Sequence, residues 1–119
     1  MELLTSPLRE QLLRNFRDSQ LAMNHGPRDD FWPVVKLFAP WNQAVWLLTE
    51  LDPDGEILFG LCDLGHGIPE LRHVYLSEIA RLEGPADLRV ERDILFEAKG
   101  SLGVYAEAAR TAGRIVELD

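Results

Sequence analysis

Apolar residues at Leu8, Leu12, Leu13 and Phe16 recur at helical spacing, with Arg9, Glu10, Arg14, Arg17 and Asp18 between them. That is one apolar stripe on an otherwise solvated helix. Ser6-Pro7 opens it, with Ser as N-cap and Pro at the first helical position. Asn24-His25-Gly26-Pro27 ends it, and residues 24–33 read as a polar loop with aromatics at its end. The pattern then changes from helical to extended. Residues 34–38, Val34 to Phe38, are β-branched and apolar and read as a strand. Pro40-Trp41-Asn42-Gln43 breaks it. Residues 45–51 form a second strand and residues 56–62 a third, joined by Asp52-Pro53-Asp54-Gly55. Proline presets the first turn angle there, and glycine takes the left-handed position that closes a hairpin with a bulge.

Pairing Asp52 with Glu56 around this turn sets a register. Leu47, Thr49 and Leu51 then share a face with Ile57, Phe59 and Leu61, while Trp46, Leu48 and Glu50 share the other with Leu58, Gly60 and Cys62. Trp46 would fill the space beside Gly60. Both faces are substantially apolar, so the hairpin is expected to be central and covered on both sides, or to lie at an interface.

Leu71 to Leu76 reads as a fourth strand. Ser77 is expected to cap a short helix from Glu78 to Leu82, ended by Gly84-Pro85. Leu88 to Ala98 reads as one or two strands with broken alternation. Ser101 caps a final helix with a small-residue stripe of Leu102, Tyr105, Ala108, Ala109 and Ala112, stopped by Gly113. Ile115-Val116 would add a short closing strand. The order gives an α+β fold: a mainly antiparallel sheet built on the central hairpin, with N-terminal and C-terminal helices and one short helix packed on it. Its 119 residues are read as a single domain over 1–119.

Charge narrows the function classes. Twelve basic and twenty acidic residues give a net charge of −8. Residues 37–70 contain no Lys or Arg and six acids: Glu50, Asp52, Asp54, Glu56, Asp63 and Glu70. Negative potential is therefore expected over the hairpin, which argues against direct nucleic-acid binding, since phosphate neutralisation needs clustered cations. The single cysteine, Cys62, excludes an intramolecular disulfide framework and fits a reducing cytoplasm. The N-terminus lacks a signal-peptide pattern, and no apolar run nears the length of a membrane span. A cytoplasmic protein without a membrane partner is expected.

Several runs resemble a known family. They are Val34-Val35-Lys36-Leu37-Phe38, the stretch from Trp46 to Pro53, and Phe59-Gly60-Leu61-Cys62-Asp63-Leu64-Gly65. Pro69-Glu70-Leu71, Tyr75-Leu76-Ser77-Glu78, Glu91-Arg92-Asp93 and the stretch from Tyr105 to Arg110 extend the likeness over nearly the whole chain. The chain resembles the bacterial domain-of-unknown-function family DUF2958. The resemblance implies a bacterial cytoplasmic protein, often encoded on mobile genetic elements, and implies no chemistry. His66 stands where relatives often carry an aliphatic residue, which weakens any mechanism that needs it.

Chemical constellations are sparse. Cys62, Asp63, His66, Glu70 and His73 offer five potential metal ligands in twelve residues, but no helical His pair and no rigid scaffold, so neither metal nor cofactor is expected. The glycines at 60, 65 and 67 lack the Lys-Ser/Thr of a phosphate loop and read as turn glycines. No Gly-x-Ser-x-Gly elbow is present. Asp63 and Glu70 would make an acid/base pair if folded within reach, though Asp63 is equally a turn former. Glu50, mid-strand, needs a partner or solvent, and Lys36 on the neighbouring strand is the expected ion-pair partner. Arg89, Arg92, Arg110 and Arg114 are interleaved with acids and read as a mixed solvated face.

Phe31, Trp32, Phe38, Trp41 and Trp46 fall within sixteen residues. Trp46 reads as core; Trp32 and Trp41, beside Pro33 and Pro40, are the candidates for exposure. The favoured reading is a non-enzymatic protein-interaction module with an unidentified protein partner, using Trp32, Trp41, Glu50, Asp63 and Glu70. The alternative is a small enzyme or ligand-binding domain with a polar pocket near Lys36, Glu50, Asp63 and Glu70. A DNA mimic that occupies a basic surface is a minor alternative, and a homodimer through the two-faced strands is a third possibility.

Overall fold

In the computed structural model, which describes residues 2–25 and 30–119, the expected N-terminal helix is α1 (Ser6–His25). Its cap lies one residue earlier than Ser6, because Leu8 N–H points to Thr5 Oγ1 at 3.4 Å. The Gly26-Pro27 stop lies outside the described residues, as does part of the loop expected at 24–33. β1 (Val35–Phe38), β2 (Val45–Leu51), β3 (Ile57–Asp63) and β4 (Glu70–Tyr75) follow, then α2 (Leu76–Arg81), β5 (Glu91–Arg92) and α3 (Leu102–Ala112). The five strands form one antiparallel sheet in the order β4-β3-β2-β1-β5. This is the expected α+β architecture, with helices flanking the sheet.

The hairpin is covered on both faces. Leu12 of α1 packs with Val35, Leu37, Trp46, Leu48, Leu51, Leu58 and Cys62, and Ile79 of α2 joins them. On the opposite face Leu47 and Leu61 pack against Leu102, Tyr105 and Ala109 of α3. Ala112, expected in the α3 stripe, is exposed. Ser101 Oγ accepts from Val104 N–H, and Gly113 ends α3 at φ 75°, as the sequence indicates.

The hairpin register departs from the simple expectation halfway along. Trp46 pairs with Cys62, Leu47 with Leu61 and Leu48 with Gly60, as the Asp52–Glu56 alignment requires. Thr49 is then left out, and Glu50 pairs with Phe59 and Leu51 with Leu58. This β-bulge carries Leu51 into the α1-side cluster, away from Leu47. Across the turn the Asp52 N–H donates to the Ile57 carbonyl, so the backbone ladder closes on Ile57 and not on Glu56, and Gly55 takes φ 75°.

Two features hold the bulge. A Cβ on Gly60 would stand 2.0 Å from the Leu47 carbonyl oxygen and 2.8 Å from Leu48 Cα. The space at Gly60 is thus taken by the β2 backbone, not by the Trp46 ring. On α1, Asn15 and Ser19 extend the Leu8-Leu12 face as buried polar residues. Asn15 Nδ2 donates to the Thr49 carbonyl at 2.9 Å, and Ser19 Oγ donates to Glu50 Oε1 at 2.9 Å.

Three other expectations are corrected. α2 begins at Leu76 and has no side-chain cap of its own, so Ser77 does not cap it; Glu56 Oε1, from the hairpin turn, accepts Ser77 N–H at 2.8 Å. The strand expected over Leu88 to Ala98 shrinks to Glu91–Arg92, because Asp93 closes a turn on itself, accepting from Leu95 N–H at 3.0 Å. Ile115-Val116 is not a strand: Ile115 N–H is held by Asp63 Oδ2 at 2.9 Å, and Ile115 and Leu118 pack onto the α3-side cluster.

Asn15→Ala leaves a buried carbonyl without its donor, an expected cost of about 1–3 kcal/mol. Gly60→Ala forces β2 and β3 apart, an expected cost of about 3 kcal/mol or more. Urea unfolding of each variant against wild type measures both.

Candidate functional site

The sequence candidates scatter over the molecule. Trp32 is 57% exposed, but Trp41 is not a free aromatic: its ring is half-buried against the backbone of Gly84, where a Cβ would stand 2.3 Å from it. Glu50 is buried and accepts from Ser19. Asp63 is buried with both carboxylate oxygens engaged, Oδ1 by Gly65 N–H and Oδ2 by Ile115 N–H. Glu70 is exposed at the start of β4, paired with Cys62. The expected Lys36–Glu50 ion pair is absent, because Glu50 is engaged by α1 and Lys36 by Asp93. Glu50 meets α1, whereas Lys36 lies among Leu47, Phe96 and Tyr105 on the α3 side and pairs with Asp93 at 3.6 Å. Lys36, Glu50, Asp63 and Glu70 therefore do not converge on one pocket.

Nor do the six acids of residues 37–70 make one negative face. Besides Glu50 and Asp63, Asp52 Oδ1 accepts from Glu56 N–H and Ile57 N–H at 2.9 Å each, and Glu56 accepts from Ser77. The Arg9 guanidinium lies over the turn, 3.1 Å from where a Cβ on Gly55 would stand. Asp54 and Glu70 remain exposed. The acids are mostly hydrogen-bond acceptors that shape turns and caps.

Lys36 belongs to a different constellation. A cavity of about 460 Å³ lies between the α3 face of the sheet and the C-terminal tail. Both lysines of the chain, Lys36 and Lys99, line it, together with Asp93, Glu97, Tyr105 and the apolar Leu47. The Tyr105 hydroxyl accepts Lys99 N–H at 3.0 Å. Only Lys36 of this set is marked by its position among apolar strand residues. Asp93, Lys99 and Tyr105 are brought in by long-range folding.

The most open feature is β4. Among the described residues it pairs with β3 alone and forms the outer edge of the sheet. Leu76 N–H donates to the Glu56 carbonyl at 2.7 Å, which fixes the parity of the ladder. Even-numbered residues bond inward to β3, so Leu71, His73 and Tyr75 turn their N–H and C=O groups outward. These three also share one face, opposite Leu61, Phe59 and Ile57. Leu71 is 49% and Tyr75 48% exposed, and the His73 ring rests on Phe59 at 5.0 Å between centroids. No Lys or Pro lies within residues 70–75 to blunt the edge. Sequence reasoning found the strand and missed its edge position. The available signal was its composition: Glu70, Arg72 and His73 interrupt β4, whereas β2 and β3 are apolar on both faces.

Burial pushes the Cys62 thiol up to about 12, outweighing the nearby Arg72, so it is not an available thiolate at neutral pH. Among the described residues no three of His, Cys, Asp and Glu come together as a metal-binding group, and no helix is long and apolar enough to cross a membrane.

The Ser77 hydrogen bonds, with Arg81 adding a smaller attraction, hold the Glu56 carboxyl below its ordinary value. A lowered carboxylate stabilises the fold above the usual carboxylate range and loses that contribution as pH falls through its folded value. Glu56→Gln is therefore expected to be less stable than wild type at neutral pH, and the deficit is expected to shrink at an acidic pH below the carboxylate range. Denaturant titrations at both pH values check this.

No curated protein and no solved structure matches the chain. The family described as "Protein of unknown function (DUF2958)" matches residues 3–116, nearly the whole length. The chain belongs to the DUF2958 family.

Proposed function

We propose that this chain is a non-enzymatic protein-interaction module that takes a strand of its partner onto the outer edge of β4. The free edge itself carries the reading. Strand addition draws affinity from main-chain hydrogen bonds and specificity from alternate side chains, and β4 offers both through Leu71, His73 and Tyr75. The aromatic and acidic set read from the sequence contributes less. Trp32 is exposed for contact and Glu70 stands at the start of the same edge, while Glu50, Asp63 and Trp41 support the fold. The proposed setting, taken from the family resemblance, is the bacterial cytoplasm and a mobile genetic element. Engagement of Glu50, Asp52, Glu56 and Asp63 within the fold weighs against a DNA mimic, which needs its carboxylates in solvent.

A proline at position 73 removes one outward N–H and leaves the inward ladder intact. His73→Pro is expected to lose a protein captured by the wild-type chain, whereas Trp41→Ala is expected to retain it. Affinity capture from a bacterial lysate with all three proteins tests this. Capture that is indifferent to His73→Pro contradicts edge recognition.

The cavity beside Lys36 favours a second reading, a small-ligand site. Its size is within the range of small-molecule pockets, and its polar groups stand over the apolar Leu47. A compound that raises the Tm of wild type and not of Lys36→Met is the expected sign of it.

A further inference from the structure

We infer that the strand added to β4 is β4 of a second copy of this chain, joining two five-stranded sheets across a twofold axis. This inference rests on the edge-recognition reading and names its occupant.

The argument is one of register. A twofold axis normal to the sheet keeps each face continuous, so residues opposite one another must have the same parity. The outward-bonding residues of one copy must also face those of the other. Three registers near the middle of β4 meet both conditions. Centring on Arg72 sets Arg72 against its own twin and Tyr75 against Pro69, which has no N–H to give. Centring on Val74 sets Leu71 against Ser77, which lies in α2 and outside the strand. Centring on His73 sets Leu71 opposite the second copy's Tyr75, Tyr75 opposite its Leu71, and His73 opposite its twin. All three outward-bonding residues are then used, for about six main-chain hydrogen bonds.

Side-chain chemistry favours the same register. Leu71 and Tyr75 are the two half-exposed apolar residues of the strand, and they cover each other twice. The central His73 is already seated on Phe59. On the other face Arg72 lies opposite Val74 and Glu70 opposite Leu76, so no like charges are directly opposed. The strand contains one Glu and one Arg, so carboxylate and guanidinium charges balance between two facing copies.

Cysteine cross-linking reads this register directly, because the one native thiol, Cys62, is buried. In a pairing centred on residue 73, the two Cα atoms at that position are about 5.5 Å apart, within disulfide reach. Copies of residue 71 are offset by four positions, roughly 13 Å along the strand, and are out of reach. Mild oxidation is therefore expected to convert His73→Cys to a covalent dimer and to leave Leu71→Cys uncoupled. Sedimentation equilibrium is expected to show a dimer for wild type and at least about tenfold weaker association for His73→Pro. A wild-type monomer at concentrations up to about 100 μM overturns the inference. So does a dimer that cross-links at 71 in preference to 73, or one unaffected by His73→Pro. If a monomeric wild type still captures a foreign protein and His73→Pro abolishes that capture, self-pairing fails and edge recognition stands. If neither association nor capture responds to His73→Pro, both fail.

Discussion

The bulge at Thr49 is the constraint from which most of the architecture follows. An extra residue in β2 frees the Thr49 carbonyl from the β3 ladder and places it toward α1. A buried carbonyl without a donor is expensive, and Asn15 supplies the donor. One turn further along the same helix, Ser19 meets Glu50. The helix is thereby held at a fixed height and rotation over the sheet, with Leu12 among the apolar residues of β1, β2 and β3. The bulge in turn needs Gly60 opposite Leu48, because the β2 backbone occupies the place of a side chain there. Hydrophobic burial attracts the helix to the sheet, and these polar contacts decide how it sits.

The same economy of polar groups explains the surface. Carboxylates that suggest an acidic docking face when counted along the chain are largely engaged in geometry. Asp52 closes the hairpin, Glu56 caps α2, Asp63 clamps the chain after α3, and Glu50 answers α1. With β2 and β3 sandwiched between α1 and α3, and β1 shielded at its far edge by β5, the long unpaired backbone among the described residues is that of β4. The proposed function follows from the backbone left open, more than from net charge.

Elements governed by local chemistry were legible in the sequence. Asp52-Pro53-Asp54-Gly55 specifies a hairpin because its dihedral preferences and its Asp cap act within five residues. Ser101 and Gly113 bracket α3 for the same reason. What depends on distant partners was not legible. The bulge is answered by Asn15, 34 residues from Thr49 in the chain, and apolar periodicity is blind to a polar side chain used as a hydrogen-bond key. Lys36 and Glu50 looked paired because they lie on neighbouring strands, but Ser19 of α1 takes Glu50 and Asp93, after β5, takes Lys36. Asp93, Lys99 and Tyr105 reach the Lys36 cavity through the fold of the chain after β5, for which no spacing rule exists. Trp41 looked exposed because it follows Pro40, but the approach of Gly84 from another segment and packing on the α1-side cluster cover it.

Native-state hydrogen exchange tests the central claim most directly, since it resolves the opening free energy of α1 separately from that of the hairpin. If the bulge and the helix are one cooperative unit, amides in the middle of α1 and those of β2 and β3 around Thr49 open together, at the highest free energy in the molecule. Exchange of the α1 amides at a markedly lower free energy, with the hairpin still protected, would contradict the account.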